Sequence, residues 1–339
     1  MTTKNAAPPR VSYNRTIGVA AMQGRGFYYP WDSVAGSDGR LYVLGRALDG
    51  DPRGVRVTVM DLEEEYYGTW GSYGTGDGQF VWTSAIIQDS QERMYISDEY
   101  LNRVTILSIN GDFLGKWGES GTADGQLQGP NGMAFNSNNE LSIVDHLNNR
   151  VQKFTPDGQF ISSFGSPGGG DGQFNLPWGI DIAKDGTIYI ADWGNDRIQK
   201  FTPDGDFIDA YGSSGRGDGE FRNPADVSVD GDGYMYVADW ANQRVQVLDP
   251  DGEFVQSLKG QATISKWAQD FLDVNLEEAT ARANSNLEAD IAFFDDDPHE
   301  VSAHIEKYFW APTSVNIDSE GHIFIVDSNR HRLQVYDIV

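Results

Sequence analysis

Side chains able to do chemistry gather at two recurring points of this chain. Asp32, Asn131 and Asp226 lie one or two residues after a proline, as do Trp31 and Trp178, while Trp310 stands two residues before one. The second group follows short alternating apolar runs: Arg46, Glu99, Tyr100, His146, Trp193, Trp240 and, slightly further on, His331. Carboxylates such as Asp32, Glu99 and Asp226 orient a substrate or bind a cation, and His146 is suited to proton transfer. Indole and phenol rings grip a flat, apolar or cationic small molecule by stacking or cation–π attraction. The catalytic candidates are therefore Asp32, Glu99, His146 and Asp226. The substrate-binding candidates are Trp31, Arg46, Tyr100, Trp178, Trp193, Trp240, Trp310 and His331. Each has a structural alternative, since a large ring also fills the wedge between packed sheets and a polar group at a cleft mouth is often only hydrated.

A repeat positions these residues. Gly78, Gly125, Gly172 and Gly219 each open a Gly-Gln/Glu-aromatic/Leu segment and stand 47 residues apart, and a fixed period of this size marks a repeat architecture. In the copy from Gly172, Gly179 to Ile182 begins a strand, Lys184-Asp185-Gly186 turns, and Thr187 to Ala191 returns as an alternating run rich in β-branched residues. Arg197 to Phe201 makes a third strand, Pro203-Asp204-Gly205 a second turn, and Phe207 to Tyr211 a fourth strand. Four short antiparallel strands make a propeller blade. Blade one runs from Phe27 to Trp70, and blades two, three and four open at Gly78, Gly125 and Gly172. Blade five spans Gly219 to Leu258, and blade six begins near Phe309 and reaches Val339 after only three strands. Val11 to Val19 alternates and has no blade of its own. The count predicts an all-β, six-bladed ring in which this N-terminal strand pairs with Leu333 to Ile338 and leaves no open sheet edge at the seam.

Composition excludes several function classes. The formal charge of −26, from 25 basic and 51 acidic residues, repels nucleic-acid phosphates and anionic lipid. No run is apolar enough to span a bilayer. Cysteine is absent, which removes disulfides and thiolate chemistry. Residues 1–9 read as a disordered lead-in without the apolar core of a signal peptide, so the expected compartment is cytoplasmic. The rest, 10–339, reads as one propeller with an insert at 260–306. There Trp267, Phe271, Leu272, Leu276 and Ala279 fall at helical spacing, and Asp297-Pro298-His299-Glu300 reads as a capped helix start.

The pattern GQF…P-x-G…IYIAD…N-x-R-I-Q-K-F…DG-x-F resembles the NHL repeat and extends over nearly the whole chain outside the insert. Proteins with such propellers include protein-binding and RNA-binding modules and peptidyl-hydroxyglycine amidating lyases, and related six-bladed rings include gluconolactonase-type hydrolases. In the amidating lyases, histidines just after the blade proline hold a catalytic zinc. Here those positions are Trp31, Ser84, Asn131, Trp178, Ala225 and Thr313, with no histidine among them. The gluconolactonase likeness implies instead a calcium or magnesium ion held by Asp32, Asn131 and Asp226.

Strand direction places the P-x-G segments, the loops after each second strand and the insert on one face, so the insert is expected to act as a lid over the central funnel. Five Asp/Arg pairs five residues apart, Asp98/Arg103, Asp145/Arg150, Asp192/Arg197, Asp239/Arg244 and Asp327/Arg332, read as ion-paired staples because every one of five blades repeats them. Blade one departs, with Gly45 in the aspartate position and a longer loop from Arg46 to Gly54. Arg216-Gly217-Asp218 occupies an inter-blade turn and is read as no more than that. The favoured function is a small-molecule binder or an enzyme of lyase or hydrolase type, working in the lidded funnel. The alternative is a protein-interaction scaffold without catalysis.

Overall fold

Alternating, β-branched segments separated by Asp-Gly turns fold as antiparallel strands, and the computed structural model arranges them in six four-stranded sheets around a central axis. It describes residues 10–46, 51–287, 289–290 and 297–339; the lead-in at 1–9 lies outside them. Blade four is representative, with strands Ile180–Ile182, Ile188–Asp192, Arg197–Phe201 and Phe207–Tyr211 in that spatial order. Its second strand, IYIAD, is buried throughout, whereas its outer strand is largely open to solvent. The turn into that outer strand needs Gly205, which has φ +90° and whose Cβ, if added, would stand 2.6 Å from the ring of Phe164 in blade three.

Six hydrophobic clusters hold the ring, one at each blade–blade junction. Each contains the aromatic or leucine that precedes a first strand (Phe27, Phe80, Leu127, Phe174, Phe221 or Phe309), all at most 2% exposed. A blade is thus a wedge driven between its neighbours, and the core is circumferential. The ring closes as expected. Val11–Ile17 pairs antiparallel with Arg332–Ile338, from Val11 opposite Ile338 to Ile17 opposite Leu333, with a register shift between Tyr13 and Arg15.

The staples prove more elaborate than ion pairs. In blade four the buried Asp192 accepts from the backbone N–H of Asn175 (2.8 Å), Nδ2 of Asn195 (2.9 Å), Nε of Arg197 (2.9 Å) and Nε2 of Gln199 (3.0 Å). Asp145, Asp239 and Asp327 also pair with their arginines at 2.8 Å. Blade two corrects the expectation. Asp98 accepts instead from the N–H groups of Val81 (2.7 Å), Trp82 (3.2 Å), Tyr100 (3.1 Å) and Leu101 (3.0 Å). Arg103 donates to the carbonyls of Thr75, Gly76 and Gln79, and its Nε is left buried without a partner. The cause is local: Leu101 and Thr105 stand where blades three to five carry Asn and Gln, so the turn supplies its own N–H groups to the carboxylate.

The insert forms three helices, α1 (Lys266–Val274), α2 (Leu276–Ala283) and α3 (Pro298–His304). Ser265 caps α1, and Trp267 is buried in the seam between blades six and one, its Nε1 donating to the carbonyl of Glu64 at 2.7 Å. Of the apolar stripe only Trp267 is seated; Phe271 is 51% and Leu276 72% exposed. Asp297 caps α3 with Pro298 at its first turn, and Arg282 pairs with Glu306 to tie α2 to the segment after α3. Among the described residues no helix is long and apolar enough to cross a membrane.

Candidate functional site: the axial channel and its mouth

First strands are edge strands facing the axis, so their free N–H and C=O groups need partners that the sheet does not supply. Each junction finds a partner in the next blade. Thr313 donates to the carbonyl of Trp31 (2.7 Å), Asp32 accepts from the N–H of Ile86 (2.8 Å), and Ser84 donates to the carbonyl of Pro130 (2.7 Å). The N–H of Gly132 donates to the carbonyl of Trp178 (3.0 Å), Asp181 accepts from Val229 (2.7 Å), and Asp226 accepts from Val315 (3.0 Å). These bonds run once around the ring. They enclose a cavity of about 40 Å3 to which all six blades contribute, including Trp31, Ser84, Asn131, Trp178, Ala225 and Thr313, the residues just after the blade prolines and their blade-two counterpart. That is space for a few ordered waters and not for an organic molecule.

Two carboxylates, Asp32 and Asp226, line this channel and a third, Asp181, lies close enough to act on Asp226; among the described residues none has a cationic partner. Burial raises the pKa of Asp32 and of Asp181 above the ordinary range. Asp226 is raised well above it, first by burial and then by the like charges of Asp32 and Asp181. A carboxyl whose folded pKa is raised contributes its stability below the unfolded pKa and loses it as pH climbs through the folded value. Asp226→Asn keeps an acceptor for Val315 and removes the disfavoured charge. Its melting temperature at pH 8 should match or exceed that of the wild type, with a flatter profile above about pH 4, whereas Asp226→Ala should lose about 1–3 kcal/mol. Thermal melts across pH decide it: an Asn variant as unstable as the Ala variant would mean a charged carboxylate neutralised by a bound cation.

At the mouth the indoles converge. Trp31 and Trp178, from opposite blades one and four, lie 5.8 Å apart between ring centroids and cap the channel. Trp193 meets Trp178 edge-on at 5.8 Å, and His146 lies 6.1 Å from it. Nδ1 of His146 is 3.0 Å from the carbonyl of Pro177, and a carbonyl only accepts, so Nδ1 carries the proton and Nε2 of the neutral ring keeps its lone pair. On the other side the Arg46 guanidinium sits between Trp31 (4.2 Å) and Trp82 (4.7 Å) and pairs with Glu99 at 2.8 Å. Burial brings its pKa down to about 10, so it stays charged at neutral pH, and its Nη1 is buried without a partner.

The structure therefore gathers Trp31, Trp178, Trp193, Arg46, Glu99 and His146 at the mouth, with Asp32, Asn131 and Asp226 beneath them. It leaves others apart. Tyr100 is 68% exposed on the rim. Trp310 lies against His299 of α3 and beneath Arg330, and Trp240 opens the short turn that α3 packs upon. His331 accepts from the N–H of Tyr29 (3.1 Å), as the side chains of Asn102, Asn149, Asp196 and Gln243 accept from the blade that follows theirs. All five have φ near +50°, so His331 occupies a repeated joint, and burial lowers its pKa. The insert contributes no residue to the axial cavity among those described; its helices lie along the blade six–one seam and the blade five–six rim. Asn316, which lines the channel and bonds Asp32 at 3.0 Å, and Asp181, which joins blade four to blade five beside it, are residues that sequence reasoning missed. Their signal is present, since Val34, Ile87 and Ala134 hold the same position in blades one to three.

A His-bound zinc does not fit a cavity without histidine. A calcium or magnesium ion fits poorly as well: Asp32 already accepts from Ser33, Ile86 and Asn316, and the Asn131 amide presents an unpartnered Nδ2, a donor. Among the described residues no group of three or more His, Cys, Asp or Glu is placed to hold a metal.

These features define a closed six-bladed propeller with an aromatic-lined axial mouth. The NHL repeat family matches residues 174–201, in blade four, and 309–336, in blade six. No curated protein matches the chain by sequence. Solved structures share the fold at low identity. A Bacteroides thetaiotaomicron protein of unknown function is 18% identical at TM-score 0.61, over 96% of this chain and 75% of that one. A gluconolactonase from Xanthomonas campestris is 15% identical at TM-score 0.58, over 99% and 96%. Virginiamycin B lyase from Staphylococcus aureus is 12% identical at TM-score 0.55, over 96% and 99%.

Proposed function

We propose that this propeller binds a flat small molecule at the mouth of the axial channel and acts on it by acid–base chemistry of the lyase or hydrolase kind. The observation that carries the reading is the juxtaposition, around the Trp31–Trp178 pair, of a histidine with a free Nε2 and a buried arginine with an unpartnered Nη1. Nε2 of His146 is placed to take a proton, and Nη1 of Arg46 to hold an oxygen that gains negative charge. Arg46 itself fills the cation–π position between Trp31 and Trp82, which favours an aromatic or conjugated ligand with an acceptor group over a cationic one. Since the cavity below holds only water-sized groups, the ligand rests on the indoles or parts them. The fold likeness to a lyase and a gluconolactonase supports the reaction class and nothing finer.

Tryptophan-fluorescence titration against aromatic esters and lactones, followed by turnover assays on any binder, tests this. Trp178→Ala should abolish binding, while His146→Ala should bind normally and lose about 10²- to 10⁴-fold in kcat. Binding that survives Trp178→Ala would remove the site from the axis. A scaffold reading draws on the narrow cavity and on Tyr100 and Leu147, exposed on the rims of blades two and three. It predicts a protein partner lost on Tyr100→Ala with no small-molecule response.

A further inference from the structure

A roomier cavity lies off the axis. It holds about 300 Å3 at the outer corner of blade five, beneath α3, within the size range of small-ligand sites and several times roomier than the channel. One wall carries Arg216, Lys259 and Arg244; the other carries Pro298, Val301 and Tyr308.

The charge at this corner runs against the rest of the chain. In a protein of net charge −26, Arg216 and Lys259 are exposed and make no ion pair or side-chain hydrogen bond. Arg244 directs Nε to Asp239 and Nη2 to the carbonyls of Gly217 and Glu220, which leaves Nη1 uncommitted. In blades two and six the equivalent Nη1 bonds a carbonyl and in blade three it approaches Asp124, whereas in blade four Nη1 of Arg197 is uncommitted as well, so the free Nη1 is available here without being particular to this corner. Among the described residues one carboxylate, Asp297, reaches the lining, and its Oδ1 is engaged by the N–H of His299 at the start of α3.

The repeat shows that the cations are additions. Positions equivalent to Arg216 hold Thr75, Thr122 and Gly169, and those equivalent to Lys259 hold Gly71, Gly118, Gly165 and Gly212. Neither is needed to build a blade, and both appear only where α3 roofs a cavity. Paired acidic surface elsewhere would repel anions at long range, so two cations, Arg216 and Lys259, that have no counter-ion among the described residues and border a half-apolar cavity point to a ligand that brings its own negative charge.

We infer that the cavity beneath α3 is a second ligand site, for a small organic anion whose carboxylate or phosphate lies against Arg216, Lys259 and Arg244 and whose apolar body lies against Pro298, Val301 and Tyr308. The inference is independent of the chemistry at the axis.

Calorimetric titration of the full chain with phenyl phosphate and with benzoate, using benzyl alcohol as the neutral control, tests it. At least one anion should bind saturably, at least about tenfold more tightly than the alcohol, and more weakly as salt is raised. The tighter of the two identifies the head group. Both cations are exposed, so the Arg216→Ala/Lys259→Ala variant should melt as the wild type does and lose at least about tenfold in affinity. Val301→Trp should block binding at this cavity with all three charges kept. Absence of saturable binding by both anions, or undiminished affinity in the double variant, would overturn the inference.

Discussion

A chain lacking residues 10–18 should not fold to a stable monomer. Val11–Ile17 is the outer strand of blade six, and Val11 and Ile17, at 2% and 0% exposure, belong to the clusters on either side of that blade. Their removal forfeits about 1.5–3 kcal/mol of burial for each, one whole ladder of hydrogen bonds with Arg332–Ile338, and the anchor for the insert, since Ser265 donates to the carbonyl of Gly18 and Thr263 bonds Thr16. The sum rivals the about 5–15 kcal/mol by which domains are stable, and the bared edge invites pairing with another molecule. Circular dichroism and size-exclusion chromatography should show early melting and association, both reversed by a synthetic peptide of residues 10–18. A truncated monomer with the melting temperature of the full chain would contradict the closure.

Asp192→Ala should cost about 3–5 kcal/mol. Burial holds the Asp192 carboxyl above its ordinary pKa despite Arg197, so the pair adds little net free energy by itself. Its loss is another matter, because the N–H of Asn175, Nε–H of Arg197 and one N–H each of Asn195 and Gln199 would lose their acceptor, although the three side chains keep bonds to the carbonyls of Gly168, Gly170 and Gln173. Asp192→Asn, which keeps the shape and one acceptor, should lose less. Urea unfolding followed by circular dichroism measures both, and a change below about 1 kcal/mol in the Ala variant would reduce the staple to a contact without energetic weight.

Much of this architecture is legible from spacing alone. A period of 47 residues and a sixth blade short of one strand lead directly to the N-terminal closure, because strand alternation and edge pairing are local rules applied in series. The residues after the blade prolines likewise come together on the axis, since an equivalent position in every repeat maps to an equivalent radius. Occupancy of each side chain was not readable in this way. Asp32 and Asp226 look like free acids in sequence, but each answers an N–H of the next blade; His331 looks like a site residue and serves where other blades use Asn, Asp or Gln. The Asp98/Arg103 staple fails on two side chains, Leu101 and Thr105, whose identities the Asp–Arg spacing does not specify. Arg46 was marked by the departure of blade one from the repeat, yet its place between Trp31 and Trp82 depends on distances across the ring.

The bonds around the axis also carry a meaning for assembly. Neighbouring blades are joined there by a threonine hydroxyl, a serine hydroxyl, a backbone amide and three aspartates set at two different heights along the strand. Blade order is therefore keyed at the hub. A blade moved to another station would meet a lock cut for a different neighbour, so although the repeats look interchangeable in sequence, the wheel has only one way to be put together.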